Sequence, residues 1–275
     1  MPIVTMKDML VDARREKRAV GGFNIGNYET LLAVLRAAEA LGQSVIVQMY
    51  CRLVENGHGA PLAAAARAIA RDMKSPVAIH LDHGQTLDQV RCAIDAGFSS
   101  VMLDASKLPF EENVAAVREA VKLARAAGVS IESEIGHVPM GGSAMAVSQL
   151  DETVRFYEAT QVDALAVSIG TAHGFYKEEP KIDVALCAAI AEAVPIPLVL
   201  HGGSGTPPDK IRAVIQHGVA KVNIATEFQF DYQMKLRDRL VAAGDTFIAV
   251  DLLEAPVVES STAFIMREIR FLAGI

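Results

Sequence analysis

Residues 197–226 read PLVLHGGSGTPPDKIRAVIQHGVAKVNIAT, and the order of features in this stretch decides the fold. Leu198–Leu200 is apolar on consecutive residues, as a strand buried on both faces requires. A glycine-rich turn, Gly202–Gly205, follows it. Next come a helical segment over Asp209–His217 and a further apolar strand over Lys221–Ile224. Strand, turn, helix and strand in this order describe two parallel strands joined by a helical crossover.

The same alternation extends outward in both directions. It places strands at Ala19–Phe23, Val45–Gln48, Val77–Leu81, Ser100–Leu103, Ser130–Ser133 and Ala164–Val167, ahead of the two already named. Helical segments separate them, among them Glu29–Leu41, Glu112–Ala127 and Phe228–Ala242. An extra helix is expected at the N-terminus, Met6–Arg15, capped by Thr5 with Asp8 three residues on, and another at the C-terminus near Glu259–Leu272. Eight parallel strands with helical crossovers close into a barrel, so the expectation is an α/β protein, a single (β/α)8 TIM barrel spanning residues 1–275. No linker or low-complexity tract interrupts it, and the longest candidate loops are Val138–Val147 and Ala172–Lys181.

Composition narrows the function classes. Hydrophobic residues make up 51% of the chain, enough for a large core, but the apolar runs fall far short of the ~18 residues a spanning helix needs. Residues 1–18 are charged throughout and carry no signal-peptide stretch. Cys51, Cys92 and Cys187 are odd in number and far apart, which suits a reducing compartment. A cytoplasmic protein that does not engage a membrane is therefore expected. With a net charge of −7 and no basic stripe, no nucleic-acid partner is expected either.

In such barrels the chemistry gathers at the C-terminal ends of the strands. Strand by strand, that end receives Asn24, then Tyr50 or Cys51, then Asp82-His83-Gly84, Asp104, Glu134, Thr171-Ala172-His173-Gly174, His201-Gly202-Gly203-Ser204-Gly205 and Asn223 with Thr226. Three of the seven histidines, His83, His173 and His201, thus share one end of the barrel, each beside a glycine, and three converging imidazoles with open positions left over suit Zn2+. His58, His137 and His217 read as surface residues, and His80, inside a strand, as a core residue or a support for the ligands. The turns Gly202–Gly205 and Asn223–Thr226 follow the last two strands, where backbone N–H groups at helix N-termini often hold phosphate. Asp82, Asp104 and Glu134 can serve as ligands, orienting groups or proton carriers, and the two aspartates can instead cap helices.

These blocks, in this order, resemble the class II fructose- and tagatose-bisphosphate aldolases, most nearly the tagatose-bisphosphate branch in length and order. The likeness runs from Gly22-Phe23-Asn24 through Leu81-Asp82-His83-Gly84, Leu103-Asp104-Ala105-Ser106, Glu132-Ser133-Glu134-Ile135-Gly136, Gly170-Thr171-Ala172-His173-Gly174 and Leu200-His201-Gly202-Gly203-Ser204 to Lys221-Val222-Asn223-Ile224-Ala225-Thr226. The resemblance implies reversible cleavage of a ketose 1-phosphate or 1,6-bisphosphate to dihydroxyacetone phosphate and an aldehyde. It implies zinc on His83, His173 and His201, acting as a Lewis acid, with Asp104 and Glu134 orienting ligands or offering the metal a second position. It implies that Asp82 exchanges a proton with the aldehyde oxygen. Donor contacts would come from Asn24, Gly174, Gly202, Gly203, Ser204, Asn223, Ala225 and Thr226, with a monovalent cation (Na+ or K+) near the phosphate. A homodimer or homotetramer is implied as well.

Two departures from the family pattern bear on this expectation. The family's loop after the Glu134 motif supplies a mobile glutamate for the C3 proton; here His137–Ala146 keeps two glycines and has no acid, which leaves Asp151, Glu152 or a water as the carrier. The family's arginine for a distal phosphate is replaced by an acidic and apolar stretch, Leu252–Glu259, with Met49, Tyr50 and Val257 available to pack against a neutral aldehyde. A ketose 1-phosphate is then expected to be cleaved better than a bisphosphate, unless Arg52, Arg267 or Arg270 restores the charge. The alternatives are an epimerase or isomerase sharing the same enediolate, and a non-catalytic subunit of the same fold.

Overall fold

The computed structural model describes residues 2–138, 147–176 and 178–275. The expected glycine loop at 139–146 lies outside them. Eight parallel strands form a closed barrel in sequence order: β1 (Val20–Asn24), β2 (Val45–Tyr50), β3 (Val77–Gly84), β4 (Ser100–Leu103), β5 (Ser130–Ile135), β6 (Ala164–Val167), β7 (Leu198–Leu200) and β8 (Val219–Ile224), with β1 and β8 closing it. Every strand residue but Tyr50 is buried, which is why the strands read as continuous apolar runs. Several extend beyond those runs into the polar residues at their C-terminal ends, Asn24, Asp82, His83 and Glu134 among them.

Helix α1 (Met6–Arg15) shuts the N-terminal mouth of the barrel. Its Met6, Met9, Leu10 and Ala13 pack against Val20, Ile46, Ala78, Ala164, Ala166, Val199 and Ala220 from the strands. Small residues dominate that layer, leaving room for the helix. Thr5 does occupy the N-cap, but its hydroxyl donates to the Asp8 carboxylate at 2.9 Å instead of accepting from a backbone amide. With one end plugged, ligands have access only from the opposite end.

The outer layer comprises α2 (Tyr28–Leu41), α3 (Cys51–Glu55), α4 (Gly59–Ala70), α5 (Leu87–Asp95), α6 (Phe110–Ala127), α7 (Leu150–Thr160), α8 (Val184–Ala193), α9 (Pro208–Gln216), α10 (Thr226–Ala243) and α11 (Val250–Ala273). The last starts nine residues before the expected Glu259, because Pro256 sits inside the helix instead of ahead of it. A proline there leaves the carbonyl four residues back without its amide partner. Arg239 on α10 supplies the replacement, donating to Leu252 O at 3.1 Å.

Candidate metal and sugar-phosphate site

Strand β3 loses register with β4 between Leu81 and Gly84, and within that irregularity His83 takes a φ of +50°. A bulge at a barrel rim re-aims side chains, and a left-handed non-glycine residue costs on the order of 1–3 kcal/mol. The distortion brings both Asp82 and His83 to the open end, where regular alternation would send them to opposite faces.

There His83, His173 and His201 each offer a nitrogen within 4.8 Å of the other two, and His83, Asp104 and Glu134 form a second such group. His83 Nδ1 is 2.8 Å from Asp104 Oδ2, so its Nε2 is the nitrogen left for a ligand. His173 Nδ1 is 3.2 Å from Val138 O, and its buried Nε2 has no hydrogen-bond partner among the described residues. His201 is turned the other way, with Nε2 2.9 Å from Glu132 Oε1 and Nδ1 unpartnered among the described residues. Glu134 Oε2 is also buried and, among the described residues, unpartnered, 3.1 Å from His201 Nδ1 but not aligned for a hydrogen bond. Buried polar atoms left this way are costly, and a shared cation would satisfy them together. The three imidazoles and the neighbouring carboxylates therefore fit a metal ion of the zinc type.

Asp82 accepts from Asn24 Nδ2 at 2.7 Å and from Asn223 Nδ2 at 3.3 Å, and Gln48 in turn donates to Asn24 Oδ1 at 2.9 Å. Burial alone would raise the Asp82 carboxyl, but the charge of His83, His201 and Lys221 outweighs it and keeps the group below its ordinary range. Burial, with His201 and His83 adding positive charge, pushes His173 down to about 4. Burial also opposes charge on His201, yet Glu132 and Glu134 pull it up to about 10.

Above this floor lies a cavity of about 400 Å³. Asn24, Asp82, His83, Asp104, His173, Gly174, Gly202, Ser204, Asn223, Ala225 and Thr226 line it, while His201 and Glu134 lie buried outside the lining. Gly203, expected among the donor contacts, is not on the wall: its N–H is spent on Asn223 O at 3.0 Å. Gly202 has a φ of +67°, and a Cβ there would stand 2.3 Å from Ala172 O, so only glycine lets the β6 and β7 loops close together. Tyr176 fastens the same two loops, accepting from Ala172 N at 3.0 Å and donating to Gly202 O at 2.9 Å. Ala225 is the N-cap of α10 and Thr226 its first residue, so the start of that helix, where backbone amides lack intrahelical partners, lies on the cavity wall.

Several lining residues were not anticipated. His137, expected on the surface, lines the cavity, its Nδ1 3.3 Å from Ser106 Oγ and 3.5 Å from Glu134 Oε1. Asp151 and Glu152 are exposed on the first turn of α7 and do not line it. Arg52 and Lys107 line the cavity with Tyr50 and Gln85, whereas Met49 is fully buried and Val257, Glu254 and Glu259 do not line it. Glu254 is held by the Tyr232 hydroxyl, and Val257 is buried in α11.

Comparisons with known proteins agree with this geometry. The family described as fructose-bisphosphate aldolase class-II matches residues 4–273. The chain is 43% identical over 236 residues to the 6-phospho-5-dehydro-2-deoxy-D-gluconate aldolase of Halalkalibacterium halodurans, covering 82% of this chain and 81% of that one. It is 40% identical over 248 residues to the fructose-bisphosphate aldolase of Geobacillus stearothermophilus, covering 87% of this chain and 86% of that one. The crystal structure of the YdjI aldolase from Escherichia coli K12 superposes with a TM-score of 0.88 at 30% identity, over 98% of this chain and 97% of that one. A closed eight-stranded barrel with three histidines and an aspartate at its open end, and a family match along nearly its whole length, make this chain a member of the class II fructose-bisphosphate aldolase family, a lyase of the aldolase type.

Proposed function

We propose that the chain cleaves, reversibly, a ketose 1-phosphate-type sugar into dihydroxyacetone phosphate and an aldehyde that carries an acid group. The observation that carries this reading is that one cavity is lined by Asp82 with His83 and His173 of the histidine cluster, by Ser204 with Ala225 and Thr226 at the start of α10, and by Arg52 and Lys107.

His83, His173 and His201 would hold zinc, which when bound supplies Lewis acidity to the donor's carbonyl. The remaining steps belong to the chain's own groups. The first amides of α10 at Ala225 and Thr226, with Ser204, Gly202 and Gly174, would seat the donor phosphate, since helix N-termini favour anions. Asp82 is ionised and fixed through both oxygens by Asn24 and Asn223. In cleavage it takes the proton of the hydroxyl on the carbon that becomes the aldehyde, as the adjoining carbon–carbon bond breaks and its electron pair passes to the donor carbon, which takes a proton from water to become dihydroxyacetone phosphate. In condensation it returns that proton to the aldehyde oxygen.

The acid group on the aldehyde revises the expectation of a neutral one. Arg52 and Lys107 are the cations on the cavity wall, and a guanidinium suits a carboxylate or phosphate. By their names, both relatives act on substrates that fit: splitting a 6-phospho-5-dehydro-2-deoxygluconate beside its keto group leaves a carboxylate on the aldehyde, and splitting fructose bisphosphate leaves a phosphate. The test is to incubate the zinc-loaded protein with phosphorylated ketoses and keto sugar acids and identify the products. Dihydroxyacetone phosphate as a common product supports the reading. A product with its carbon chain intact would point to the epimerase or isomerase instead.

A further inference from the structure

His201 differs from the other two histidines in the nitrogen it turns to the cluster: Nδ1, where His83 and His173 present Nε2. The cause is Glu132. Its Oε1 is 2.9 Å from His201 Nε2, and its Oε2 accepts from Lys221 Nζ at 2.7 Å. All three side chains are fully buried. Strands β5 and β8 are separated in the barrel by β6 and β7, so the Glu132–Lys221 pair crosses the barrel interior.

A buried ion pair is poor as a stabilising device, because hydrophobic replacements of similar volume are often neutral or better. This one has a chemical consequence. An ionised carboxylate only accepts hydrogen bonds, so when His201 gives up a hydrogen to bind a metal it keeps the one on Nε2 and opens the Nδ1 lone pair. Glu134 Oε2, 3.1 Å from Nδ1 though off line for a hydrogen bond, is the acceptor to which the opposite tautomer would turn. A hydrogen placed there would occupy the position a metal needs. Glu132 and Glu134 thus compete for one imidazole hydrogen, and Lys221 holds Glu132 charged and in place.

We propose that Glu132 is a positioning residue that fixes the tautomer of His201 for metal binding, with Lys221 as its anchor. This rests on the reading that His83, His173 and His201 hold a metal, and it concerns metal affinity rather than the chemical step. Ligating histidines whose other nitrogen loses its acceptor typically lose about 10–100-fold in affinity.

The experiment compares two charge-neutral double variants, Glu132→Gln with Lys221→Met and Glu132→Leu with Lys221→Met. Thermal stability is measured without metal, and zinc affinity by competition with a chromophoric chelator. Glutamine still accepts from Nε2, so the first double should bind zinc within about threefold of wild type, whereas the leucine double should bind about 10–100-fold more weakly at similar stability. Equal affinity in the two doubles overturns the proposal. Should either fail to fold, Glu132→Asp keeps the charge but shortens the reach, and a wild-type affinity there overturns it equally. Wild-type protein that binds no zinc would instead bring down the reading of the three histidines, a result the same titration distinguishes.

Discussion

Asn24 Nδ2 donates to Asp82 Oδ2 across 2.7 Å, so the carboxylate at the cavity floor is held from the neighbouring side of the barrel by an amide that cannot take its proton. Asn223 grips the other oxygen. Such fixation suits a group that must meet one hydroxyl in one orientation.

Asp82→Asn should keep its metal content and lose about 10²–10⁴-fold in turnover, the usual contribution of a general acid–base group. Elemental analysis alongside steady-state kinetics checks both halves. Near-normal turnover would reassign Asp82 to a purely structural role.

Arg52 lies with its guanidinium 5.4 Å from the Tyr50 ring centroid, both on the cavity wall. Arg52→Ala should lower kcat/KM by about tenfold, near 1.4 kcal/mol, for substrates with a distal phosphate or carboxylate. A matched ketose 1-phosphate without that acid should be affected much less. Equal losses on both would remove Arg52 from substrate recognition.

The buried histidines give the metal-free protein a specific pH profile. His80 is pushed down to about 3 and His173 to about 4, chiefly by burial, while both would sit near 6.5 in the unfolded chain. The unfolded state therefore binds more protons below 6.5, and stability falls as the pH drops toward 3. His201, raised to about 10, keeps a proton the unfolded chain has lost, so its contribution is complete below 6.5 and disappears as the pH rises toward 10. Urea midpoints of metal-free protein should peak near neutral pH. Added zinc, which binds deprotonated imidazole, should remove the alkaline decline. A profile that is flat without metal contradicts the burial and partners described.

Gly202→Ala should destabilise the fold and the cavity wall together. The new Cβ would meet Ala172 O at 2.3 Å on a backbone at φ +67°. A cost of about 1–3 kcal/mol is the expected scale for such strain. Calorimetry checks it, and an unchanged Tm would show that the two loops can separate.

Much of this was legible in the sequence because barrel strands buried on both faces leave uninterrupted apolar runs, such as Ala164–Val167, and because the residue ending each run arrives at the open mouth. His83, His173, His201 and Asp82 announced themselves that way. Arg52 stands out in the sequence only as one of three arginines that could restore a lost charge, since α3 is too short to show periodicity and nothing local sets it on the cavity wall. Glu132 and Lys221 were hidden for the opposite reason: each sits mid-strand, and only the closure that sets β5 across from β8 turns two isolated charges into a pair. The C-terminal helix is expected from the sequence only from near Glu259, because the carbonyl that Pro256 leaves without a partner is rescued by Arg239, a residue on another helix. His137 read as surface because nothing local indicates that Ser106 and Glu134 stand beside it.

The most direct test of the central claim is a zinc titration of metal-free protein, read as dihydroxyacetone phosphate released from an acid-bearing phosphoketose. Product formation should be absent at the start, rise with each addition and level off at about one zinc per chain, as three histidines forming a single centre require. Full activity before any zinc is added, or no triose phosphate at any zinc level with any such substrate, would contradict it.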